Sequence, residues 1–303
     1  YSVAKKENLF GSDTLSVEYF DFSKANLSEQ HRIHAISAVA SVCYQNPKAL
    51  NSASLYNRLM AESIGLPSSS FEFVPVLLDP MREPAATILA NVNSNVRKFG
   101  EWIRAINDRG NEQNFLLTNY RALVYDCEDR CRNFEIVNSV EVIEDIKNTY
   151  LNWFNSEHDC EIIKKHFKVF KYNVDIPTRA QMVRHRVSWQ ELSRRYVNGI
   201  RVPFDFYLSE KMLNLEPKES YINSESLVCY EDVIEECVRF YYYALDQGVK
   251  PEEARRIIPQ GMQTIIWGAF QPRQLDNFLK LRLDSHSQLE IRKVAEAMKS
   301  LII

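Results

Sequence analysis

Apolar and polar residues alternate most clearly in the second half of the chain. Over residues 170–176 every second position is apolar, which predicts a strand with one buried face. Pro177 ends that strand and is suited to the first turn of a helix. On this helix Gln181, Arg184 and His185 share one side, because they are three and four positions apart. Polar groups converging where a strand meets a short helix predict a binding site.

Apolar residues at helical spacing predict several further helices, and short β-branched or aromatic runs predict strands. The predicted helices cover residues 28–44, 54–64, 230–247, 251–258 and 272–283, with a last helix after Ser285. The predicted strands, besides 168–176, cover residues 14–22, 71–76 and 264–270. In the helix at 272–283 the apolar stripe includes Leu279, which puts Arg282 at its edge and Asn277 on another side.

Residues 80–165 contain helical patterns at about 85–107, 117–130 and 139–155, with a turn at 108–111. We interpret this segment as a helical insertion. The elements together predict an α+β fold, with helices packed on a mostly antiparallel sheet and one domain over residues 1–303.

The composition limits the function classes. Of 303 residues 45% are hydrophobic and 25% charged, which is typical of a soluble globular protein. No apolar run approaches a membrane span and no basic-then-apolar leader begins the sequence, so we expect a cytoplasmic protein without a membrane partner. A net charge of -3 and a pI of about 6.1 argue against a nucleic-acid partner.

Glycine and cysteine usage exclude other classes. The eight glycines form neither a Gly-x-Gly-x-x-Gly nor a Gly-Lys-Ser/Thr loop, so side chains must bind any phosphate. The six cysteines lack the spacing of a disulfide framework, and we expect free thiols. Cys127 and Cys131 are one helical turn apart, but no second pair completes a tetrahedral set, so no metal site is expected.

The stretch 181–196 contains four arginines and one histidine in a chain of net negative charge. Guanidinium groups pair with phosphate or carboxylate oxygens two bonds at a time, which points to an anion and above all to a phosphate ester. The alternative is a solvated, ion-paired surface, because such surfaces are common.

The motifs in this region resemble those of the flavin-dependent thymidylate synthases. That family has Arg-His-Arg, seven residues and then Ser, commonly continuing as Asn-Glu-Leu-Ser-x-Arg-Tyr. This chain has Arg-His-Arg at 184–186 and Gln-Glu-Leu-Ser-Arg-Arg-Tyr at 190–196, with only six residues in the spacer and Gln190 in place of Asn. Residues 254–259 and 277–291 are similar to two further family motifs, in the same order.

The resemblance implies reductive methylation of dUMP to dTMP, with methylenetetrahydrofolate as carbon donor and NADPH-reduced FAD as hydride donor. It implies a homotetramer whose active sites are shared between subunits. Arg282 would be the catalytic residue, stabilising negative charge on the pyrimidine edge. The implied dUMP contacts are Gln181, Arg184, Glu191, Leu192, Ser193, Arg194, Arg195, Arg255 and Arg282. The implied FAD contacts are His166, Arg184, His185, Arg186, Glu191, Gln271 and Asn277.

Each assignment has a simpler alternative. Arg282 could pair with Asp284 on a surface helix, and His166 could be a surface residue at a helix end. Ser193 could be a nucleophile, but its neighbours include no clear base, so we favour a phosphate donor. We expect the shortened spacer to be absorbed before Trp189, which would pack near the flavin edge. Two other functions stay open: modification of another pyrimidine nucleotide, and non-catalytic nucleotide binding.

Overall fold

The structure is a computed structural model that describes residues 2–12, 14–21, 29–49, 52–60, 68–82, 95–123, 125, 156–220 and 226–303. The strands are β1 (Ser2–Asn8), β2 (Ser16–Asp21), β3 (Pro75–Leu78), β4 (Glu101–Ile106), β5 (Glu112–Asn119), β6 (Lys168–Asp175), β7 (Ser188–Glu191), β8 (Lys218–Glu219), β9 (Leu227–Val228) and β10 (Gln263–Phe270). The helices are α1 (Glu29–Tyr44), α2 (Ala53–Met60), α3 (Asn95–Lys98), α4 (Glu157–His166), α5 (Ile176–Met182), α6 (Glu210–Leu213), α7 (Tyr230–Asp246), α8 (Pro251–Ala254), α9 (Pro272–Arg282) and α10 (Leu289–Ile302).

A five-stranded sheet in the order β1-β2-β6-β10-β7 forms the centre of the protein. All of its neighbouring strands are antiparallel. The predicted α+β class with a mostly antiparallel sheet is therefore confirmed. The strands predicted at 168–176 and 264–270 are β6 and β10, which pair along their full lengths.

Side chains alternate between the two faces of this sheet, as the period of a strand requires. One face carries Phe170 and Tyr172, and α5, α9 and α10 cover it. The opposite face carries Val169 and Trp267, and α1, α4 and a second sheet cover it. Since both faces are buried, β6 and β10 are held by packing on two sides, and the short helix α5 that follows β6 is fixed with them.

The second sheet has three antiparallel strands in the order β3-β5-β4, and it corrects the sequence prediction. The helix predicted over 85–107 is wrong for residues 101–106, which form β4. The helix predicted over 117–130 is wrong for residues 117–119, which end β5, although residues 120–123 are helical. The turn at 108–111 is confirmed as the hairpin between these strands.

Tertiary burial explains this error. Phe115 and Leu117 on β5 pack into the cluster beneath the main sheet. The end of β5 is apolar because the main sheet buries it, so its apolar residues do not indicate a helix. A short apolar run cannot be distinguished from a buried helix by periodicity alone. The helix predicted at 139–155 lies outside the described residues, and the bounds of the insertion at 80–165 remain a prediction.

Most of the predicted helices are confirmed. The helix at 28–44 is α1, the one at 230–247 is α7, and the one at 272–283 is α9. The helix at 54–64 is described as α2, up to Met60. The strand at 71–76 is only partly confirmed, because a 3-10 helix at Ser69–Phe73 precedes β3.

Three apolar residues of α7 outside its half-buried apolar stripe are exposed to solvent in the single chain. Tyr241 is the one residue of this helix that is buried, whereas Val233, Phe240 and Tyr243 are exposed. Exposed apolar patches of this kind are typical of interaction surfaces. Within the described part of the chain, no helix is both long and apolar enough to cross a bilayer. Cys43, Cys160, Cys229 and Cys237 are free thiols.

We expect Gly268→Ala to destabilise the sheet. Gly268 lies opposite Trp189 in the pairing of β10 with β7, and a Cβ built on it would lie 2.5 Å from Cζ3 of that indole. Relieving such a clash requires movement of a ring packed against Phe270, which costs about 1–3 kcal/mol of unfolding free energy. Urea unfolding measures the loss. A Gly268→Ala/Trp189→Leu double variant should regain part of it, and equal losses in both variants would contradict the steric cause.

Candidate functional site

Arg282, His185 and Gln181 meet at the junction of α5 with the end of α9. Arg282 Nε donates to His185 Nε2 at 2.8 Å, and its Nη2 donates to the backbone oxygen of Gln181 at 3.0 Å. His185 is buried, and its ring packs against Phe278 with centroids 4.7 Å apart. Asp284 instead accepts from His286, so the surface pairing of Arg282 with Asp284 is wrong. The arginine is fixed in direction at the edge of the buried face of α9.

The charge of Arg282 and its hydrogen bond to His185 determine which ring nitrogen of His185 carries a proton. Burial lowers the pKa of His185, and the Arg282 cation lowers it further. The Nε2 atom that accepts from Arg282 must be unprotonated, so the neutral ring carries its proton on Nδ1. Burial also lowers the pKa of Arg282, and Arg184 acts in the same direction. A concentrated positive potential at this position favours a ligand that carries or develops negative charge.

The stability of the protein should therefore fall as the pH is lowered below about 6.5, the ordinary pKa of histidine. His185 has a lower pKa folded than unfolded, so the unfolded chain binds the proton more readily and the stabilisation is lost as pH falls. Melting temperatures between pH 7.5 and 5, measured for the natural protein and for His185→Gln, test this. Glutamine keeps an acceptor for Arg282 without titrating, so the variant should show a shallower decline. Identical slopes would contradict the coupling.

Glu191 is held by an arginine that the sequence did not single out. Arg179 on α5 donates to Oε2 of Glu191 through Nε at 2.8 Å and also through Nη2, while Thr264 Oγ1 lies 3.4 Å from Oε1. Both side chains are half-buried, so the pair fixes the carboxylate at the end of β7. The sequence offered only a weak signal, an arginine in the short helix opened by Pro177, because the pairing spans a helix and a strand.

The loop that follows β7 is anchored to α1 and β10. Leu192 is buried, and its backbone N–H donates to Ile265 at 2.9 Å. The N–H of Ser193 donates to the carbonyl of Cys43 at 3.1 Å, and the carbonyl of Ser193 accepts from two later residues. The loop is thus a fixed turn with the Ser193 side chain only half-buried.

Gln190, which replaces the Asn of the resembled motif, has a structural role here. Its side chain is buried on the face opposite Glu191. Gln190 Nε2 donates to Ser69 Oγ, and its Oε1 accepts from Cys43 Sγ at 3.2 Å. The longer amide therefore connects β7 to α1 and to the 3-10 helix before β3.

The two adjacent arginines of the loop point in opposite directions. Arg194 is buried: its guanidinium donates to the carbonyls of Val202 and Pro203 and stacks over Phe204 at 4.5 Å. Burial lowers its pKa, as expected for a cation removed from water. Arg195 is exposed, and its Nε donates to Glu252 at 2.9 Å. Only the second guanidinium is presented to solvent.

Arg255 is exposed in the 3-10 helix after α8, the helix that carries Glu252. The structure thus places it near the loop of Ser193 and Arg195. Among the described residues, no hydrogen bond or ion pair joins this group to Arg282. The predicted dUMP contacts consequently form two groups, one at α5 and α9 and one at the loop and α8.

A cleft of about 450 Å³ lies between the three-stranded sheet and the start of α9. Arg186 and Gln271, both predicted as FAD contacts, line it. Gln271 is the N-cap of α9, and its Nε2 donates to the carbonyl of Phe99 at 2.7 Å. His166 ends α4 and directly precedes Phe167, which also lines the cleft.

His166 has an unfilled hydrogen-bonding position. Its Nε2 is buried and has no partner among the described residues. Burial lowers its pKa, and Lys165 and Lys168 lower it further, so the ring is neutral near pH 7. Buried polar atoms in proteins are normally paired, so an unpaired one in the residue that precedes a cleft-lining residue fits a bound polar ligand. This arrangement favours a functional His166 over the alternative of a solvated helix end.

Of the remaining predicted residues, Arg184 lies close enough to Arg282 to lower the pKa of that guanidinium. Arg184 and Asn277 are exposed. Trp189 packs in the core against Phe270 at 5.6 Å, and its Nε1 donates to the carbonyl of His185 at 3.1 Å. The expected position of Trp189 near a flavin edge therefore remains a prediction. Among the described residues no cluster of His, Cys, Asp or Glu is arranged to bind a metal ion, and Cys127 and Cys131 lie outside them.

Comparison with known proteins gives several matches. A flavin-dependent thymidylate synthase of Kosmotoga olearia is 31% identical over 142 residues, which are 43% of this chain and 60% of that protein. One of Thermosipho africanus is 30% identical over 161 residues, 49% of this chain and 69% of that protein. The chain thus spans less than two thirds of the first relative's length.

A solved structure, the UMP/dUMP methylase PolB from Streptomyces cacaoi bound with 5-Br dUMP, is 25% identical with a TM-score of 0.35. It aligns with 45% of this chain and 64% of its own. This likeness is too distant to bear on the assignment.

The family described as thymidylate synthase complementing protein matches residues 113–303, more than half of the chain. The matched range begins inside the segment predicted as an insertion and contains all three motifs. Within it, the motif residues lie on the turn after α5, on β7 and its loop, at and after the end of α8, and from α9 to the start of α10. The chain therefore belongs to the thymidylate synthase complementing protein family, that of the flavin-dependent thymidylate synthases.

Proposed function

We propose that this protein is a flavin-dependent thymidylate synthase, which methylates dUMP to dTMP. Methylenetetrahydrofolate would supply the carbon, and FAD reduced by NADPH would supply the hydride. The observation that carries the proposal is the Arg282–His185 pair, in which two family motifs 97 residues apart in sequence meet through one hydrogen bond. The names of the curated relatives point to the same reaction.

Arg282 would act on the pyrimidine ring. Methylation requires the C5 carbon of uracil to be electron-rich, and a cation against N3 and O4 stabilises the negative charge that makes it so. His185 and the carbonyl of Gln181 hold two guanidinium nitrogens, which leaves the rest of the fork for the ligand. Because the group is fixed before the ligand arrives, little reorganisation is needed in the transition state.

The loop of Ser193 and Arg195, with Arg255, would bind the nucleotide phosphate. These side chains are exposed or half-exposed, and among the described residues Glu252 is the one carboxylate within 4.0 Å of either guanidinium group. Among the described residues no hydrogen bond or ion pair joins these side chains to Arg282, as expected if two different subunits supply the two groups to one active site. The exposed Val233, Phe240 and Tyr243 of α7 support an oligomer, and we propose the homotetramer that the resemblance implies.

The cleft and its surroundings fit FAD. Arg186 lines the cleft and supplies a positive charge for an anionic cofactor. His166, which precedes the lining residue Phe167, would add the unpaired Nε2 as a hydrogen-bonding group. Bound there, a flavin would supply hydride chemistry, whereas the protein would contribute binding and orientation. Gln271 would act by holding the cleft wall at Phe99.

Two measurements on one preparation test the proposal. The purified protein should bind FAD, seen as flavin absorbance that stays with the protein fraction. It should then release the C5 hydrogen of dUMP when NADPH and methylenetetrahydrofolate are present. A protein that takes up no flavin on titration would refute the proposal and would instead support the non-catalytic alternative.

A second candidate, a flavin enzyme that modifies another pyrimidine nucleotide, is favoured by the shortened spacer. One residue of extended chain is about 3.3 Å, comparable to a hydrogen-bond length, and its loss before the loop could shift the nucleotide. Running dUMP, dCMP and their hydroxymethyl analogues side by side decides between them. We expect dUMP to be preferred, because Glu-Leu-Ser-x-Arg-Tyr is intact at 191–196.

A further inference from the structure

One wall of the cleft comes from residues that precede the family-matched range. Lys98 ends α3, and Phe99 to Glu101 lead into β4. This segment belongs to the three-stranded sheet that the sequence did not predict, and none of the family motifs includes it. Whatever it contributes to the cleft therefore lies outside the matched range and the motifs.

The backbone of Phe99 is hydrogen-bonded, whereas its ring is exposed in the cleft. Its carbonyl accepts from Gln271 Nε2 at 2.7 Å, and the neighbouring Glu101 accepts from the backbone N–H of Arg273 at 3.0 Å. These bonds fix the segment to the start of α9. The Phe99 side chain lines the cleft and is 60% exposed, with no ring contact to another described aromatic. A fixed, solvent-facing aromatic ring is available to stack on a planar ligand.

The charges around the cleft leave an excess of free cations. Glu72 is paired with Arg121 at 2.6 Å, and Glu101 is engaged by a backbone N–H as described. Three cationic side chains line the cleft with no carboxylate within 4.0 Å among the described residues: Lys98, Arg186 and Arg273. A volume of about 450 Å³ is in the range of ligand sites in proteins. The combination fits a ligand with both a planar ring and a phosphate.

We propose that Phe99 and Lys98 are binding residues for the flavin dinucleotide. Phe99 stacks on one of its planar rings, and Lys98 binds its pyrophosphate together with Arg186 and Arg273. This proposal rests on the proposed function, because that function makes FAD the cofactor. It adds a segment outside the family motifs to the cofactor site.

The test is a set of titrations of the flavin-free protein. Binding of FAD and FMN is measured by flavin fluorescence, and binding of ADP is measured by calorimetry. Phe99→Ala should weaken FAD binding about tenfold, the usual effect of losing one stacked ring. If FMN is weakened equally, the stacked ring is the isoalloxazine; if FAD and ADP are weakened but FMN is not, it is the adenine. Lys98→Met should also weaken FAD and reduce the dependence of its Kd on salt.

Matched controls exist on surfaces remote from the cleft lining. Leu213 on α6 is 52% exposed, and Lys211 is exposed on the same helix, so Leu213→Ala and Lys211→Met should bind FAD as the natural protein does. Melting curves confirm that all four variants fold. FAD affinities of Phe99→Ala and Lys98→Met equal to those of the controls would overturn this inference alone. A natural protein that binds no flavin would overturn the proposed function as well.

Discussion

Replacing Arg282 with alanine is expected to lower product formation about 10²–10³-fold while FAD stays bound, the effect of losing one preorganised group at a charge that develops in the reaction. The side chain is half-buried at the end of α9 and is directed by His185 and Gln181. A charge needed mainly in the transition state affects turnover more than binding. Release of the C5 hydrogen from dUMP measures turnover, and flavin absorbance measures cofactor retention.

The matched control is Arg109→Ala. Arg109 is an exposed arginine in the turn between β4 and β5 and does not line the cleft, so its loss should leave turnover unchanged. Near-normal turnover in Arg282→Ala would refute the catalytic role. Loss of bound FAD together with turnover would instead indicate that Arg282 holds the cofactor side of the site through His185.

Replacing Arg194 with methionine is expected to destabilise the protein by about 2–4 kcal/mol. Its guanidinium makes two charge-assisted bonds to the carbonyls of Val202 and Pro203 and covers the ring of Phe204. Hydrogen bonds to charged groups contribute about 1.5–3 kcal/mol each, and methionine retains only part of the packing. Urea unfolding measures the change.

The control variant replaces Arg195, which is next to Arg194 in the same loop but is exposed. Arg195→Ala should therefore leave the unfolding midpoint unchanged but weaken dUMP binding about tenfold, the effect of one lost charge-assisted hydrogen bond. The reverse pattern, in which Arg194→Met weakens nucleotide binding without loss of stability, would restore Arg194 as a direct ligand contact. The two variants together separate loop structure from phosphate binding.

The sequence predicted most of the elements that carry the site, because local periodicity is sufficient for them. The alternation over 170–176 gives β6, and Pro177 correctly indicates the start of α5. The apolar stripe of α9 correctly places Arg282 at the edge of the buried face and Asn277 on the exposed side. Within the motif, side-chain types and spacings indicated an anion site before any contact was known.

Periodicity failed where burial depends on a distant partner. Ile103 on β4 and Phe115 and Leu117 on β5 are buried under the main sheet. That tertiary environment accommodates a pair of strands where the sequence pattern predicted helices. For the same reason Phe99 and Lys98 gave no signal, since a cleft wall is defined by what faces it. Arg179 was missed because its partner Glu191 lies on another element.

The sequence by itself determined the family, the α+β class and the inventory of cationic side chains available to bind an anion. Only the tertiary structure decided which of those cations are available to a ligand. Arg194 donates to backbone carbonyls and Arg179 pairs with a carboxylate, whereas Arg186 lines a cleft. The physical reason is that the state of a guanidinium depends on the groups packed around it. Those groups come from elements far apart in the chain, and local patterns of polarity do not specify how such elements meet.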